Sequence, residues 1–304
     1  MADVALSSAV RSNLLSLQKT TGLIDRTQGR LSTGLEIAAP SDDAVKFFQA
    51  KSLNDRAAEL SSRKSAMDQG ISALDTALKA ADALESLAQQ MKGIVDSSRS
   101  GDSTQRSEYS DQLKELAVQI EKLVSDATYQ GLNLLNSTAS KLSVRFSDKS
   151  DSKLDVDGVD FNASTFFLQS DGTAVGNADA SVTADVVSGL GFEALLSAFN
   201  FDDASALASF NAMADLAVSR LDETISNVQS KAATLANNVA ILQVRADFTD
   251  EYIGTLESGA GKLTVADLNE EGANLLALQT RQQLGIQALS FAGQAEQSIL
   301  GLFR

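Results

Sequence analysis

The sequence has no histidine, no cysteine, no tryptophan and a single proline in 304 residues. Without an imidazole or a thiolate there can be no Ser-His-Asp triad, no cysteine nucleophile, no zinc site of the usual kind and no HExxH metallopeptidase helix. Only carboxylate or lysine chemistry survives, and the sequence assigns no catalytic, cofactor-binding or metal residue. Basic residues are also scarce: 25 Lys and Arg face 40 Asp and Glu, which gives a net charge of −15 and a pI near 4.4. A phosphate backbone requires basic surface, so nucleic acid is not an expected partner. No run of 18 apolar residues exists, so no transmembrane helix is expected and no membrane partner is assigned. The first fifteen residues contain Asp3 and Arg11 and lack a basic stretch followed by an apolar one, so a Sec-type signal is not expected. The absence of cysteine suits either a cytosolic protein or an exported one.

What is present favours helices. Hydrophobic residues make up 43% and aromatics 5%, so the apolar content is chiefly Ala, Leu, Val and Ile. One proline leaves room for long uninterrupted elements. Val10, Leu14, Leu17, Thr21, Ile24, Gln28, Leu31 and Leu35 alternate steps of four and three, the seam of a helix that packs on other helices. That helix is expected to stop near Gly34, and Pro40 forces a break. Ser41 then serves as the N-cap, with Asp42 and Asp43 in the first turn of a second helix reaching about Ser98. At 1.5 Å per residue it would be roughly 85 Å long. A polar break around Gly101 precedes a shorter helix carrying Tyr109, Leu113, Leu116, Ile120, Leu123 and Ala127, so the two are expected to form an antiparallel hairpin.

After Gly131 the period changes to two. Leu142, Val144 and Phe146 alternate with polar residues, as do Leu154 and Val156, before Asp157-Gly158, which predicts short strands and a hairpin turn. Residues 148–203 hold eleven acidic residues and two lysines, so −9 of the −15 lies there, together with six of the thirteen phenylalanines. Clustered Phe favours a compact, solvent-facing module over a disordered insert. A last long stripe, Ala214 through Val228, Leu235 and Leu242 to Leu256, runs in unbroken four-three alternation, and Gly259 and Gly261 are expected to end it. In the final arm, Leu275, Leu278, Leu289, Ala292, Ile299 and Phe303 share one face, and Leu284, Ala288, Phe291, Ala295 and Leu302 a neighbouring one. A helix so widely apolar needs burial on more than one side, which other copies of the chain can supply.

Three local patterns fall short of a site. Lys153, Asp155, Asp157 and Gly158 suggest a calcium loop, but Lys stands at the first ligand position and Ser164 at the twelfth. Gly259-Ala260-Gly261-Lys262-Leu263 lacks the upstream glycine and the Ser/Thr of a P-loop, and is taken as a helix terminator and hinge. Asn136-Ser137-Thr138 and Asn162-Ala163-Ser164 are formal glycosylation sequons of a kind common by chance.

Taken together, Arg30-Leu31-Ser32-Thr33-Gly34-Leu35, Ala39-Pro40-Ser41-Asp42-Asp43-Ala44, Gly70-Ile71-Ser72, Gln130-Gly131-Leu132-Asn133-Leu134-Leu135, Leu278-Gln279-Thr280 and the ending Ser298-Ile299-Leu300-Gly301-Leu302-Phe303-Arg304 resemble the bacterial flagellins. The likeness covers residues 1–160 and 203–304. Two departures stand out: Glu36 replaces a basic residue, and Val45-Lys46-Phe47-Phe48 replaces a run of small ones.

The resemblance implies a mainly α fold: a long antiparallel helical bundle or coiled coil built from both chain ends, with a small β-hairpin region and a short outer insert. It implies inner terminal arms at 1–40 and 260–304, a long-helix bundle with hairpins at 41–161 and 203–259, and a variable surface insert at 162–202. The implied function is a structural subunit that polymerises into the flagellar filament, the helical propeller of swimming motility. A hook-filament junction protein on the same scaffold is the alternative. Implied partners are other flagellin subunits, an export chaperone, and filament cap and hook-associated proteins. The implied location is the extracellular filament, reached through the flagellar type III system. The assembly interface is then expected at Val10, Leu14, Leu17, Ile24, Leu31 and Leu35 with Leu275, Leu278, Leu289, Ile299, Leu302 and Phe303. Members of the family are also ligands of a vertebrate innate receptor through a patch on the long helix. Met91, Lys92, Gly93 and Val95 align with part of that patch, and the loss of both arginine positions implies weak or absent recognition.

Overall fold

The computed structural model describes residues 8–161 and 204–302. Among them are five helices, α1 (Ser8–Thr33), α2 (Ala44–Ser98), α3 (Ser103–Asp126), α4 (Ala204–Thr264) and α5 (Leu268–Leu302). Four short strands lie between α3 and α4: β1 (Thr128–Tyr129), β2 (Leu132–Asn133), β3 (Lys141–Arg145) and β4 (Lys153–Asp157). The expected insert at 162–202, its phenylalanines and the second sequon lie outside the described residues. The fold is mainly α, with two small antiparallel sheets.

The chain divides into two compact units, Met1–Glu59 with Tyr252–Arg304, and Leu60–Glu251. In the second unit α2, α3 and α4 enclose a core of Met67, Leu74, Leu84, Met91, Ile120, Leu221, Leu235 and Leu242, all almost completely buried. Alanines at 77, 81, 88, 117, 214 and 217 are buried among them. Alanine at a helix contact lets two backbones approach toward the short end of the usual 8–10 Å separation. Lys64 bonds Asp250, Lys92 bonds Asp222, Arg99 bonds Asp215 at 2.7 Å, and Gln229 donates to Glu85 at 2.9 Å. As the α2 number rises the α4 number falls, so the two helices are antiparallel. Exposed pairs of this kind contribute only about 0–1 kcal/mol each, so they fix register while the buried stripe supplies the stability.

Capping explains where these helices begin. Asp102 accepts from the Gln105 amide at 2.8 Å while the Gln105 side chain accepts from the Asp102 amide at 3.0 Å, a complete capping box for α3. The cap of α2 is Asp43, whose carboxylate accepts from the Val45 and Lys46 amides at 3.0 and 3.1 Å. Ser41 does not fill that role. Asp42, expected in the first helical turn, instead folds back to accept from the amides of Ala38 and Ala39.

The hairpins differ from their expected form. Gln130 and Gly131 both have positive φ, 50° and 83°, and make the two-residue turn joining β1 to β2. β3 and β4 pair in antiparallel register from Lys141 with Asp157 to Arg145 with Lys153, so the loop between them is 146–152. Asp157-Gly158 therefore closes the far end of β4 and is not the hairpin turn. Gly158 is required there by crowding, since a Cβ would lie 2.3 Å from the Ser137 carbonyl oxygen. The hairpin docks on α2 at Gly70, where a Cβ would meet Val144 Cγ2 at 2.7 Å. A helical glycine costs about 1 kcal/mol relative to alanine, and the packing of Val144 is the gain that offsets it.

In the first unit α1 ends as expected. Gly34 has φ of 72° and its amide returns to the Arg30 carbonyl at 2.8 Å, a left-handed cap. Leu35 is thereby off the helix and forms an isolated bridge with Val265. α4 does not stop at Gly259 or Gly261 but runs on to Thr264, so those glycines neither terminate nor hinge it. Two glycines cost about 2 kcal/mol, which the backbone ladder and the burial of Leu256 and Ala260 outweigh. The helix ends where its last carbonyl, that of Thr264, accepts from the amides of Glu36 and Ile37. Asp267 then caps α5 through the amides of Asn269 and Glu270.

Candidate assembly surface

The pairing of α1 with α5 places most of the residues expected to mediate assembly. Arg30 Nη1 meets Glu271 Oε1 at 2.8 Å, Thr21 and Gln282 face each other at 3.5 Å, and Leu17 sits against Gly285, where a Cβ would approach it to 3.3 Å. These pairs run in opposite numerical directions, so α1 and α5 are antiparallel. Glu271 is buried, and its ion pair with Arg30 sets the register of the two helices.

The seam between them is rotated from the apolar stripe in the sequence. On α1 the buried positions are Thr20, Ile24 and Thr27, with Leu17 half-buried, whereas Leu14 and Leu31 are exposed and Leu15 is 71% exposed. Thr20 is tolerated in the seam because its hydroxyl donates to the Ser16 carbonyl at 2.9 Å. On α5 Leu275, Leu278 and Leu289 are half-buried toward α1, as their shared face requires. The neighbouring face is open at Leu284 and Phe291, both more than half exposed, and Leu276 and Ile286 are equally exposed on other sides of the helix. Val10 is half-buried, Ile299 and Leu302 fall within α5, and Phe303 lies outside the described residues. The pair thus joins Leu17 and Ile24 to the first face of α5, while Leu14, Leu15 and Leu31 stay exposed. Leu15, Leu276 and Ile286 were not singled out from the sequence, because they lie off the four-three rows.

Leu284 and Phe291, seven residues apart on one face of α5, form an exposed apolar patch of the kind that marks an interaction surface. Two family profiles match the chain, the bacterial flagellin N-terminal helical region over residues 5–140 and the bacterial flagellin C-terminal helical region over residues 205–303. The chain belongs to the bacterial flagellin family. Flagellin A of Rhizobium meliloti is 41% identical over 90 residues, 30% of this chain but only 23% of that protein's own length. A flagellin of Brucella melitensis is 28% identical over the full length of both. A solved structure described as a flagellar hook-associated protein from Vibrio parahaemolyticus shares the fold, with a TM-score of 0.54 at 16% identity over 74% of this chain and all of that one.

Flagellins are structural proteins, and three of the four positions expected from the sequence to match a receptor patch are held within the α2–α3–α4 bundle. Met91 and Val95 are completely buried in the α2–α3–α4 core, and Lys92 is bonded to Asp222. Only Gly93 of the four is exposed, and it offers no side chain.

Two groups of this flagellin are pushed toward the extremes of pH. A hydrogen bond from Lys153, joined by one from Ser143, holds Asp155 below its ordinary 3.8, and the bond to Asp250 holds Lys64 above 10.5. A lowered carboxylate contributes stability that is present above its unfolded value and lost as pH falls through the folded one. A raised lysine contributes stability that is present below its unfolded value and lost as pH rises through the folded one. With no histidine between these limits, the melting temperature is expected to stay flat from about pH 5 to 8 and to fall beyond them. Thermal melts followed by circular dichroism check this, and a shift within that window would contradict it.

Proposed function

We propose that this chain is a structural subunit that polymerises into the bacterial flagellar filament and serves as part of the helical propeller for swimming. The observation that carries the reading is the open apolar face of α5 beside Leu14, Leu15 and Leu31 of α1. At about 25 cal/mol per Å² of apolar surface removed from water, partial burial of such a band supplies enough driving force for association. No partner within the described residues covers it, whereas neighbouring subunits with the same pair of arms can. On this reading the inner arms are 1–40 with 260–304, the surrounding shell is 41–161 with 203–259, and 162–202 faces outward. The interface is Val10, Leu14, Leu17, Ile24, Leu31 and Leu35 with Leu275, Leu278, Leu289, Ile299, Leu302 and Phe303. An export chaperone would cover the apolar arm before assembly, the type III channel would carry the subunit out, and cap and hook-associated proteins would bound the polymer.

The test is electron microscopy of the purified protein after polymerisation, alongside a truncation lacking residues 260–304. Full-length protein is expected to form long filaments and the truncation to remain a helical monomer. Filaments from the truncation would overturn the assignment of the arms. Recovery of the protein as only a few copies per sheared filament would instead favour the hook-filament junction role.

A further inference from the structure

Along α1 a row of buried and half-buried residues advances in alternating steps of three and four from Val10 to Thr27, with Arg30 one turn further on. Along α5 a second such row runs from Glu271 to Ala292. Between Val10 and Thr27, and between Leu275 and Ala292, neither row holds a charged residue. Both rows repeat every seven residues, so the seam has more than one way to close. A slip of one heptad, about 10.5 Å along the axis, would move Leu17 from Gly285 to Leu278 or to Ala292. In either case a leucine still meets an uncharged residue, so burial alone does not choose between the registers.

The charged base of the pair does not share this freedom. Arg30 meets Glu271 at 2.8 Å, and Glu271 is only 7% exposed. If Leu17 stood against Leu278, Glu271 would stand against Ile24, a carboxylate buried without a cation. The opposite slip would carry Glu271 past the end of α1 at Thr33 and separate it from Arg30. Backbone bonds also close the base, from the Ala266 amide to the Gly34 carbonyl and from the Glu36 amide to the Thr264 carbonyl. Main-chain groups are the same at every residue, so these bonds strengthen the base in whichever register is selected, and the ion pair makes the selection.

We propose that Arg30 and Glu271 are positioning residues for assembly: they select one axial register from those the seam permits, and so fix which part of α1 stands beside the exposed Leu284 and Phe291 of α5. One ionic pair in an otherwise uncharged helix seam specifies register because every alternative strands a charge. The selection of register goes beyond the filament reading, and only its consequence for polymerisation rests on that reading.

Because the chain has no cysteine, paired thiols report register directly. Leu17→Cys is to be combined in turn with Gly285→Cys, Leu278→Cys and Ala292→Cys in the full chain, treated with a short thiol crosslinker, and scored for intrachain product. With the native base the Gly285→Cys pair is expected to dominate, and equal crosslinking of all three pairs would overturn the proposal. Arg30→Glu is expected to shift the product to Leu278→Cys or Ala292→Cys and to raise the critical concentration for polymerisation by at least about tenfold. Adding Glu271→Arg should restore both. Glu271→Gln keeps the shape of the side chain and removes its charge, so it decides the matter if Arg30→Glu unpairs the arms altogether: slipped products are again expected, and a retained preference for Gly285→Cys would overturn the proposal. A slipped register with an unchanged polymerisation threshold would overturn the role in assembly. Failure of the wild type to polymerise, with crosslinks that still follow the ion pair, would sink the filament reading and leave the selection of register standing.

Discussion

Leu284→Asp combined with Phe291→Asp is expected to abolish filament growth while leaving the monomer folded. Both side chains are largely exposed in the single chain, at 61% and 69%, so the monomer loses little packing when they are replaced. Helix propensity adds a cost within about 0.7 kcal/mol for each aspartate in α5. In a polymer that covers this face the cost is of another order. Each substitution removes an apolar contact and forces a carboxylate to be stripped of water without a partner, a penalty of several kcal/mol. A rise in critical concentration of at least about a hundredfold follows, since every 1.4 kcal/mol is a factor of ten. Sedimentation of polymer against protein concentration, with circular dichroism on the supernatant, separates the two effects. The conservative pair Leu284→Met and Phe291→Leu should polymerise near the wild-type threshold. Filaments of the aspartate variant at wild-type concentration would show that this face stays open to water, and the driving force would have to be sought elsewhere.

Which residues the sequence could assign depended on whether their role is set locally. The stripes of α3 and α4 were legible because a core face must repeat at helical spacing, and Leu113, Ile120, Val228, Leu235 and Leu242 are buried where those rows predict. The two faces of α5 were legible for the same reason. On α1 the row was right in period but shifted in phase, because the seam admits Thr20 and Thr27 while Leu14 stays exposed. A threonine that satisfies its own hydroxyl within the helix can occupy a buried row, and nothing in the local pattern reveals it. The same limit applies to Arg30 and Glu271, which are 241 residues apart and whose pairing depends on the antiparallel register. Gly259 and Gly261 misled because glycine ends a helix only where the chain can turn away, and here packing and the Thr264 carbonyl contacts carry the helix past them. Asp157-Gly158 has the composition of a turn, but its glycine answers to the nearby Ser137 carbonyl.

Leu84→Ala and Ala81→Leu should each destabilise the α2–α3–α4 core, in opposite ways. Both positions are completely buried, and the alanines among the buried side chains set close helix approaches. A helix pair held together by alanine contacts cannot move closer to refill a lost isobutyl group, so Leu84→Ala leaves a cavity that relaxes little. Its cost is then expected toward the upper part of the 2–5 kcal/mol range, about 4 kcal/mol. Ala81→Leu adds three carbons where the backbones are near their limit of approach, and about 1–3 kcal/mol of overpacking follows. Against a total stability of about 5–15 kcal/mol either change is substantial, and denaturant melts of the two variants measure both. The ordering separates two kinds of core. If Leu84→Ala cost less than about 2 kcal/mol, the core would be able to collapse and the close helix spacing would not be rigid. If Ala81→Leu were neutral, the alanines would be fillers with room to spare. Only when both are costly do the small residues hold the helices of this core at fixed separation.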